Sequence, residues 1–187
     1  MTRLKLAVAG SRGSFSHEAA VLYCTAHHLP NAEFVYTLDS AGAFSALEQQ
    51  RAEKIIVPIY NTTAGLVNMT LAAMGEHLFH IEATFDLSVQ QCLLALPTTA
   101  PETVTTITSH EQALKQCRRY LQQHWPKRPL VEYSDTAQAA ADVASGKLPA
   151  TTAVIAPKLA AELYHLHVLA ESIQDHKKNI TTFLVIV

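Results

Sequence analysis

Three short segments carry residue types suited to holding or transforming a small anion. The first, Gly10-Ser11-Arg12-Gly13-Ser14-Phe15-Ser16, lies between the apolar run LKLAVA and the helical pattern HEAAVLYCTAHH. Glycines there let backbone N–H groups face an anion, Ser14 or Ser16 can cap the helix, and the helix dipole favours a carboxylate or phosphate. The same turn also serves as a plain helix start. It is neither a dinucleotide fingerprint nor a Walker loop. The second segment, VPIYNTTAGLV at 57–67, places polar residues directly after an apolar strand. Ligands of open α/β sheets sit at the carboxyl ends of strands, so Asn61, Thr62 and Thr63 would offer amide and hydroxyl groups there. The plainer reading is that Thr62 or Thr63 caps a following helix. The third is the C-terminal IQDHKKNITTFLVIV, where Asn179, Thr181 and Thr182 abut an apolar strand and Lys177 and Lys178 stand just before it. A lysine pair on a loop is ordinarily solvated surface.

Other chemistries are not supported. Among ten histidines, His27-His28 and the His165/His167 pair lack further ligands at metal spacing, and no H-E-x-x-H occurs. No G-x-S-x-G nucleophile elbow is present. No motif implies a cofactor. Cys24, Cys92 and Cys117 are an odd number at no ligand spacing, which fits reduced thiols in a cytoplasmic protein.

The elements that must position these segments alternate. Strand patterns at LKLAVA, EFVYTL, KIIVPIY, TVTTITS, RPLVEY, TTAVIA and TTFLVIV are interleaved with helical stretches, including AGAFSALEQQRA, HEQALKQCRRYLQQHW, TAQAAADVASG and PKLAAELYHL. Strand–helix alternation of this kind predicts an α/β protein with largely parallel pairing. Asp135 and Thr136 are candidate N-caps, Gly146 a candidate C-cap, and Pro157 opens a helix. The extended stretch 80–96 separates two such blocks, so the expectation is two lobes: about 1–80 plus 170–187, and about 81–169. The crevice between two lobes is a favoured ligand position.

Composition narrows the function further. The 187 residues are 49% hydrophobic and 16% charged with a net charge of −2, which excludes disorder and a coiled coil. Scattered lysines and arginines, without a basic stripe or an aromatic ladder, exclude nucleic acid as a partner. The N-terminal apolar run is too short, before Gly10, for a signal h-region or a membrane span.

Taken together, the segments resemble the catalytic domain of prephenate dehydratase. GSRGSFSHEAA resembles the family's G-P-x-G-[ST]-[FY] loop. VPIYNTTAGLVNMTL is similar to V-P-I-E-N-S-x-x-G-x-V-x-x-T-L, SHEQALKQC to S-H-P-Q-A-L-x-Q-C, and DTAQAAADVA to an S-T-A-x-A-A segment. The run 153–183 is similar to A-A-I-A-S-x-x-A-A-E-L-Y-G-L-x-V-L-A-x-x-I-Q-D followed by N-x-T-R-F. The resemblance implies a two-lobed fold like that of periplasmic binding proteins, with mixed, largely parallel sheets flanked by helices and the substrate between lobes. It implies conversion of prephenate, a dicarboxylate, to phenylpyruvate with loss of carbon dioxide and water in phenylalanine biosynthesis, by a cytoplasmic homodimer that needs no cofactor. By the same resemblance Thr181 contacts the leaving hydroxyl, and Ser14, Phe15, Asn61, Thr62, Thr63, Gly65, Asn179, Thr182 and Phe183 bind substrate.

The departures fall on ionisable positions. The family's T-R-F reads Thr181-Thr182-Phe183, the glutamate of P-I-E-N-S is Tyr60, and family histidines fall at Gln90 and Gln91. An arginine fork is the usual means of holding a carboxylate, and losing it costs about 1.5–3 kcal/mol. Arg12, Lys177 and Lys178 are candidates to replace that charge. Two further readings stay open: a non-aromatising prephenate decarboxylase, and a ligand-binding homologue without turnover. Members usually continue into a phenylalanine-binding ACT domain, whereas this sequence ends at Val187, so the expectation is no feedback control within it.

Overall fold

The computed structural model describes residues 3–187. The chain begins with β1 (Lys5–Ala9), α1 (Phe15–Ala26), β2 (Glu33–Thr37), α2 (Ser40–Glu48), β3 (Lys54–Asn61), β4 (Gly65–Leu66), α3 (Asn68–Glu76) and β5 (Ile81–Ser88). It continues through β6 (Cys92–Ala95), a 3-10 turn at Pro101–Thr103, β7 (Thr106–Ser109), α4 (Glu111–Gln116), α5 (Arg118–His124) and β8 (Leu130–Glu132). Then come α6 (Thr136–Ala144), β9 (Thr152–Ala156), α7 (Lys158–Tyr164), β10 (His167–Ala170) and β11 (Ile180–Ile186).

Two compact units result. The first holds the described residues through Ser11, with Phe15–Val89 and Lys178–Val187; the second holds Arg12–Ser14 and Gln90–Lys177. Apart from the short Arg12–Ser14 excursion, the crossings therefore fall at 89/90 and 177/178, against expected bounds near 80 and 170. The reason is that β5 pairs with β11 along its length, from Ser88↔Ile180 to Ile81↔Ile186, which binds it to the first unit.

In the first unit the sheet order is β2-β1-β3-β11-β5, with β4 paired to β3. The pairs among β1, β2 and β3 are parallel; β11 runs antiparallel to both β3 and β5. Alternating side chains cover the two faces. Leu6, Val8, Ile56, Phe183 and Val185 pack with Ala19, Ala20 and Tyr23 of α1, while Ala7, Ile55, Val57, Leu184 and Ile186 pack with Ala43 and Phe44 of α2. Phe44 and Phe183 are each 1% exposed, and burial of such a ring contributes about 1.5–3 kcal/mol. Asp39 caps α2 by accepting the Gly42 N–H at 2.8 Å.

The second unit has the order β10-β6-β9-β7-β8, parallel about β7 and antiparallel at β6. Parallel pairing is thus confined to the strands joined through helices, and each sheet is mixed. Asp135 is the N-cap of α6, accepting the Gln138 N–H at 2.7 Å. Strand β10, which the sequence reading did not contain, follows directly on the left-handed His165.

The single helix expected over 110–125 is broken at Cys117 into α4 and α5. A distant side chain holds the break: the Asp175 carboxylate, 56 residues from Arg119, accepts the N–H groups of Arg119 at 3.0 Å and Tyr120 at 3.3 Å, while the Asp175 N–H donates to the Gln116 carbonyl. The neighbouring Gln174 accepts the Gln91 N–H at 3.0 Å, and the Ile173 N–H donates to the Gln91 carbonyl. The Ile173-Gln174-Asp175 motif thus docks the returning chain onto the second unit. Cys92 and Cys117 are buried in this unit and in no disulfide, and burial, with the Asp175 carboxylate adding to it, pushes the Cys117 thiol far above its usual range.

Candidate functional site

The first unit brings Asn61, Thr62, Thr63, Asn179 and Thr181 together where β3 ends and β11 begins. Strand β3 does not reach this point by simple alternation. Ile55 and Val57 pack on the α2 face, and continued alternation would put Asn61 there too. The β3–β11 register shifts between Thr182↔Tyr60 and Phe183↔Pro58, leaving Ile59 as an extra residue. This β-bulge re-aims the strand end. Pro58, which has no N–H to donate, stands beside it, a position that proline tolerates in a sheet. Asn61 consequently lies opposite Thr181 and on the same face, and both are 8% exposed.

Asn61 is the hub of this cluster. Its Oδ1 accepts the Thr63 N–H and the Ala64 N–H, each at 2.9 Å, and the Thr63 hydroxyl at 2.7 Å. Its Nδ2 donates to Asn179 Oδ1 and to Thr181 Oγ1, each at 2.8 Å, and to the Ile180 carbonyl at 3.2 Å. The turn is closed by Gly65 at φ +82, a left-handed conformation that favours glycine. Thr62 does not cap a helix: its hydroxyl donates to the Lys178 carbonyl at 3.0 Å and accepts the Ile180 N–H at 2.9 Å. Helix α3 starts later, after Val67, with no side-chain cap.

Thr182 and Phe183 are placed differently. Adjacent strand residues point to opposite faces, and the Thr182 hydroxyl donates to Asp86 on β5 at 2.7 Å. Thr182 also lies directly opposite Tyr60. The two altered positions and Asp86 form one row across β3, β11 and β5, on the face away from Asn61 and Thr181. Phe183 is core, stacked on Phe85 with ring centroids 5.9 Å apart. Asp86 had no signal in the sequence reading, because only strand register identifies it.

The Ser14 loop belongs to the second unit. Gly13 is at φ +86, and a Cβ there would come within 3.1 Å of the Tyr164 ring, so glycine is required both for conformation and for space. The Tyr164 hydroxyl donates to the Arg12 carbonyl at 2.7 Å. Ser14 is buried and directly precedes α1, and Phe15 packs into the α1 cluster. Of the candidate charges, Lys177 donates to the Ser172 carbonyl at 2.7 Å. Gln91 is 3% exposed and donates to Gln116 at 3.1 Å, and Gln90 is exposed. Among the described residues no group of three or more His, Cys, Asp or Glu could hold a metal ion, and no helix is long and apolar enough to cross a membrane.

Two mixed-sheet α/β units, between which the chain crosses four times, with a polar hydroxyl–amide cluster at a strand end, define a chain of the periplasmic-binding-protein-like class. A periplasmic transporter structure aligns over 98% of this chain and 76% of its own at TM-score 0.53 and 13% identity, which bears on fold alone. The prephenate dehydratase family profile matches residues 6–187, and the chain belongs to that family. Arogenate dehydratase 5 (chloroplastic) of Arabidopsis thaliana is 34% identical over 98% of this chain and 42% of its own length. The bifunctional chorismate mutase/prephenate dehydratase of Pseudomonas aeruginosa is 36% identical over 98% and 48%. The chain thus spans less than half the length of these relatives. Among solved structures, the prephenate dehydratase of Arthrobacter aurescens in complex with L-Phe aligns at TM-score 0.87 with 26% identity over 98% of this chain and 60% of that one. GqqA, described as a novel type of quorum quenching acylase, aligns at 0.82 with 26% identity over 97% and 63%.

Proposed function

We propose that the chain is a prephenate dehydratase-type lyase, converting prephenate to phenylpyruvate, carbon dioxide and water. The observation that carries this is the Thr181 hydroxyl, held by Asn61 at the end of β11 in a chain whose family membership spans residues 6–187. In the reaction the C–C bond to the departing carboxylate breaks, its electron pair enters the ring, and the ring C–O bond breaks. The departing oxygen gains negative charge and takes a proton to leave as water. A fixed hydroxyl donor aimed at that oxygen stabilises the charge as it develops. Orientation supplies the rest, since aromatisation drives the step. The Thr62-Thr63 turn and Lys178 would hold substrate carboxylates.

The altered Tyr60 and Thr182 do not argue against turnover, because they face away from Asn61 and Thr181. An acyl-transfer reading like that of GqqA would need a base on a nucleophile. The partner of Thr181 Oγ1 is an amide N–H, which is a donor. The amine analogue arogenate is the alternative substrate that the plant relatives' names suggest. Assembly as a homodimer and a cytoplasmic location belong to the same proposal; three buried cysteines outside any disulfide support the latter, and sedimentation tests the former. The function is tested by incubating purified protein with prephenate and, separately, arogenate, with products identified by chromatography and mass detection. Phenylpyruvate or phenylalanine above the spontaneous background is expected. A dihydro-hydroxyphenylpyruvate would establish decarboxylation without aromatisation instead, and unchanged substrate would leave a binding protein.

A further inference from the structure

We infer that Asn61 is a positioning residue that dictates the direction of the Thr181 hydrogen bond, holding that hydroxyl as a donor toward the reacting oxygen. The inference rests on the reaction proposed above, but its geometric part stands on hydrogen-bond logic. A backbone N–H can only donate. Two of them, from Thr63 and Ala64, converge on one atom of the Asn61 amide, each at 2.9 Å, so that atom is the oxygen. This fixes an amide orientation that is otherwise a choice. The other atom is therefore the NH2, and it faces three acceptors, Asn179 Oδ1 and Thr181 Oγ1 at 2.8 Å each and the Ile180 carbonyl at 3.2 Å. Both amide hydrogens are thereby committed.

The consequence falls on Thr181. A hydroxyl has one proton and two lone pairs. Its contact with Asn61 Nδ2 uses a lone pair, so the proton points elsewhere, and no acceptor for it is found among the described residues. The cluster thus runs as a one-way chain from the Thr63 and Ala64 amides through Asn61 to Thr181, ending in an unused donor. An oxygen that gains negative charge as its C–O bond breaks is what such a donor stabilises more in the transition state than in the ground state. Asn61 itself has no hydrogen left for substrate, so its effect on turnover passes through Thr181.

Asn61→Asp tests this with little change of shape. A carboxylate oxygen still accepts the Thr63 and Ala64 N–H groups, but the second oxygen replaces a donor by an acceptor, and the Thr181 proton turns toward it. With prephenate, kcat is expected to fall on the order of 10²-fold, and at neutral pH KM rises as well, because the new negative charge adjoins the Thr62-Thr63 turn proposed to hold the substrate carboxylates. The ratio of variant to wild-type kcat should rise as pH falls from 8 to 5, because the new carboxyl regains a donor as it approaches its usual range of about 4. A kcat equal to that of wild type, or a ratio that does not change with pH, would overturn the positioning role. Neutron diffraction on deuterated wild type separates this from the function itself. A Thr181 deuteron directed away from Asn61 supports the inference even if prephenate is not the substrate, and a deuteron directed at Asn61 sinks it even if phenylpyruvate is formed.

Discussion

Tyr60 and Thr182 stand directly opposite each other across the β3–β11 pair, and the Thr182 hydroxyl continues the row to Asp86 at 2.7 Å. The glutamate and arginine that the family pattern places at these two positions are therefore cross-strand neighbours, and their replacement is one change to a surface pair. Opposite charges directly across an antiparallel pair contribute roughly 0.2–1 kcal/mol.

Restoring the pair should accordingly alter stability more than turnover. Tyr60→Glu combined with Thr182→Arg is expected to raise the unfolding free energy by up to about 1 kcal/mol, with kcat/KM for prephenate within about threefold of wild type. Thr182→Arg alone should behave similarly through Asp86. A gain in kcat/KM of tenfold or more would show that the arginine position serves the substrate.

Asp175 is expected to matter to stability by an N-cap's worth. Asp175→Ala removes the acceptor for the Arg119 and Tyr120 N–H groups, at a cost of about 0.5–2 kcal/mol. Hydrogen exchange should localise the loss to the start of α5. Uniform protection along α5 in the variant would mean that the helix break has another cause.

The acid side of the stability curve should depend on Asp142. This carboxyl, 5% exposed on α6, is held below its usual range first by Lys147 at 2.8 Å, then by the hydroxyl of Tyr133 and by Gln138 at 2.9 Å. Since its folded value lies below the unfolded value of about 3.9, the stabilisation is complete above the unfolded value and is lost as pH falls through the folded one. Lys147→Met should move the acid-unfolding midpoint to higher pH and leave stability less dependent on pH below about 4. Superimposable acid titrations of the two proteins would remove Asp142 from the account.

Much of this was legible in the sequence, and the failures have physical causes. Local patterns carried the strands, the Asp135 cap and the segments ending at Asn61 and Thr181, because alternation and capping depend on neighbours. The break at Cys117 depends on Asp175, far along the chain, and helical periodicity cannot report it. The bulge at Ile59 also lay outside that reading; Pro58 inside a strand was its one local signal. The opposed facing of Thr181 and Thr182 was available from strand alternation, yet motif resemblance grouped them as one site. Gly65 stands among the substrate-binding positions by resemblance and Gly13 among the glycines of the anion-facing loop, whereas the left-handed φ of each and the closeness of Tyr164 to Gly13 are visible only in the structure.

If the Thr181 hydroxyl assists departure of the ring oxygen, Thr181→Val set beside Thr181→Ser reads out that contribution. With prephenate at saturation, phenylpyruvate formation by Thr181→Val should fall on the order of 10²-fold, as for removal of one preorganised donor, while Thr181→Ser, which keeps the hydroxyl, retains most of the rate. Phenylpyruvate formed by Thr181→Val at the wild-type rate would contradict the account.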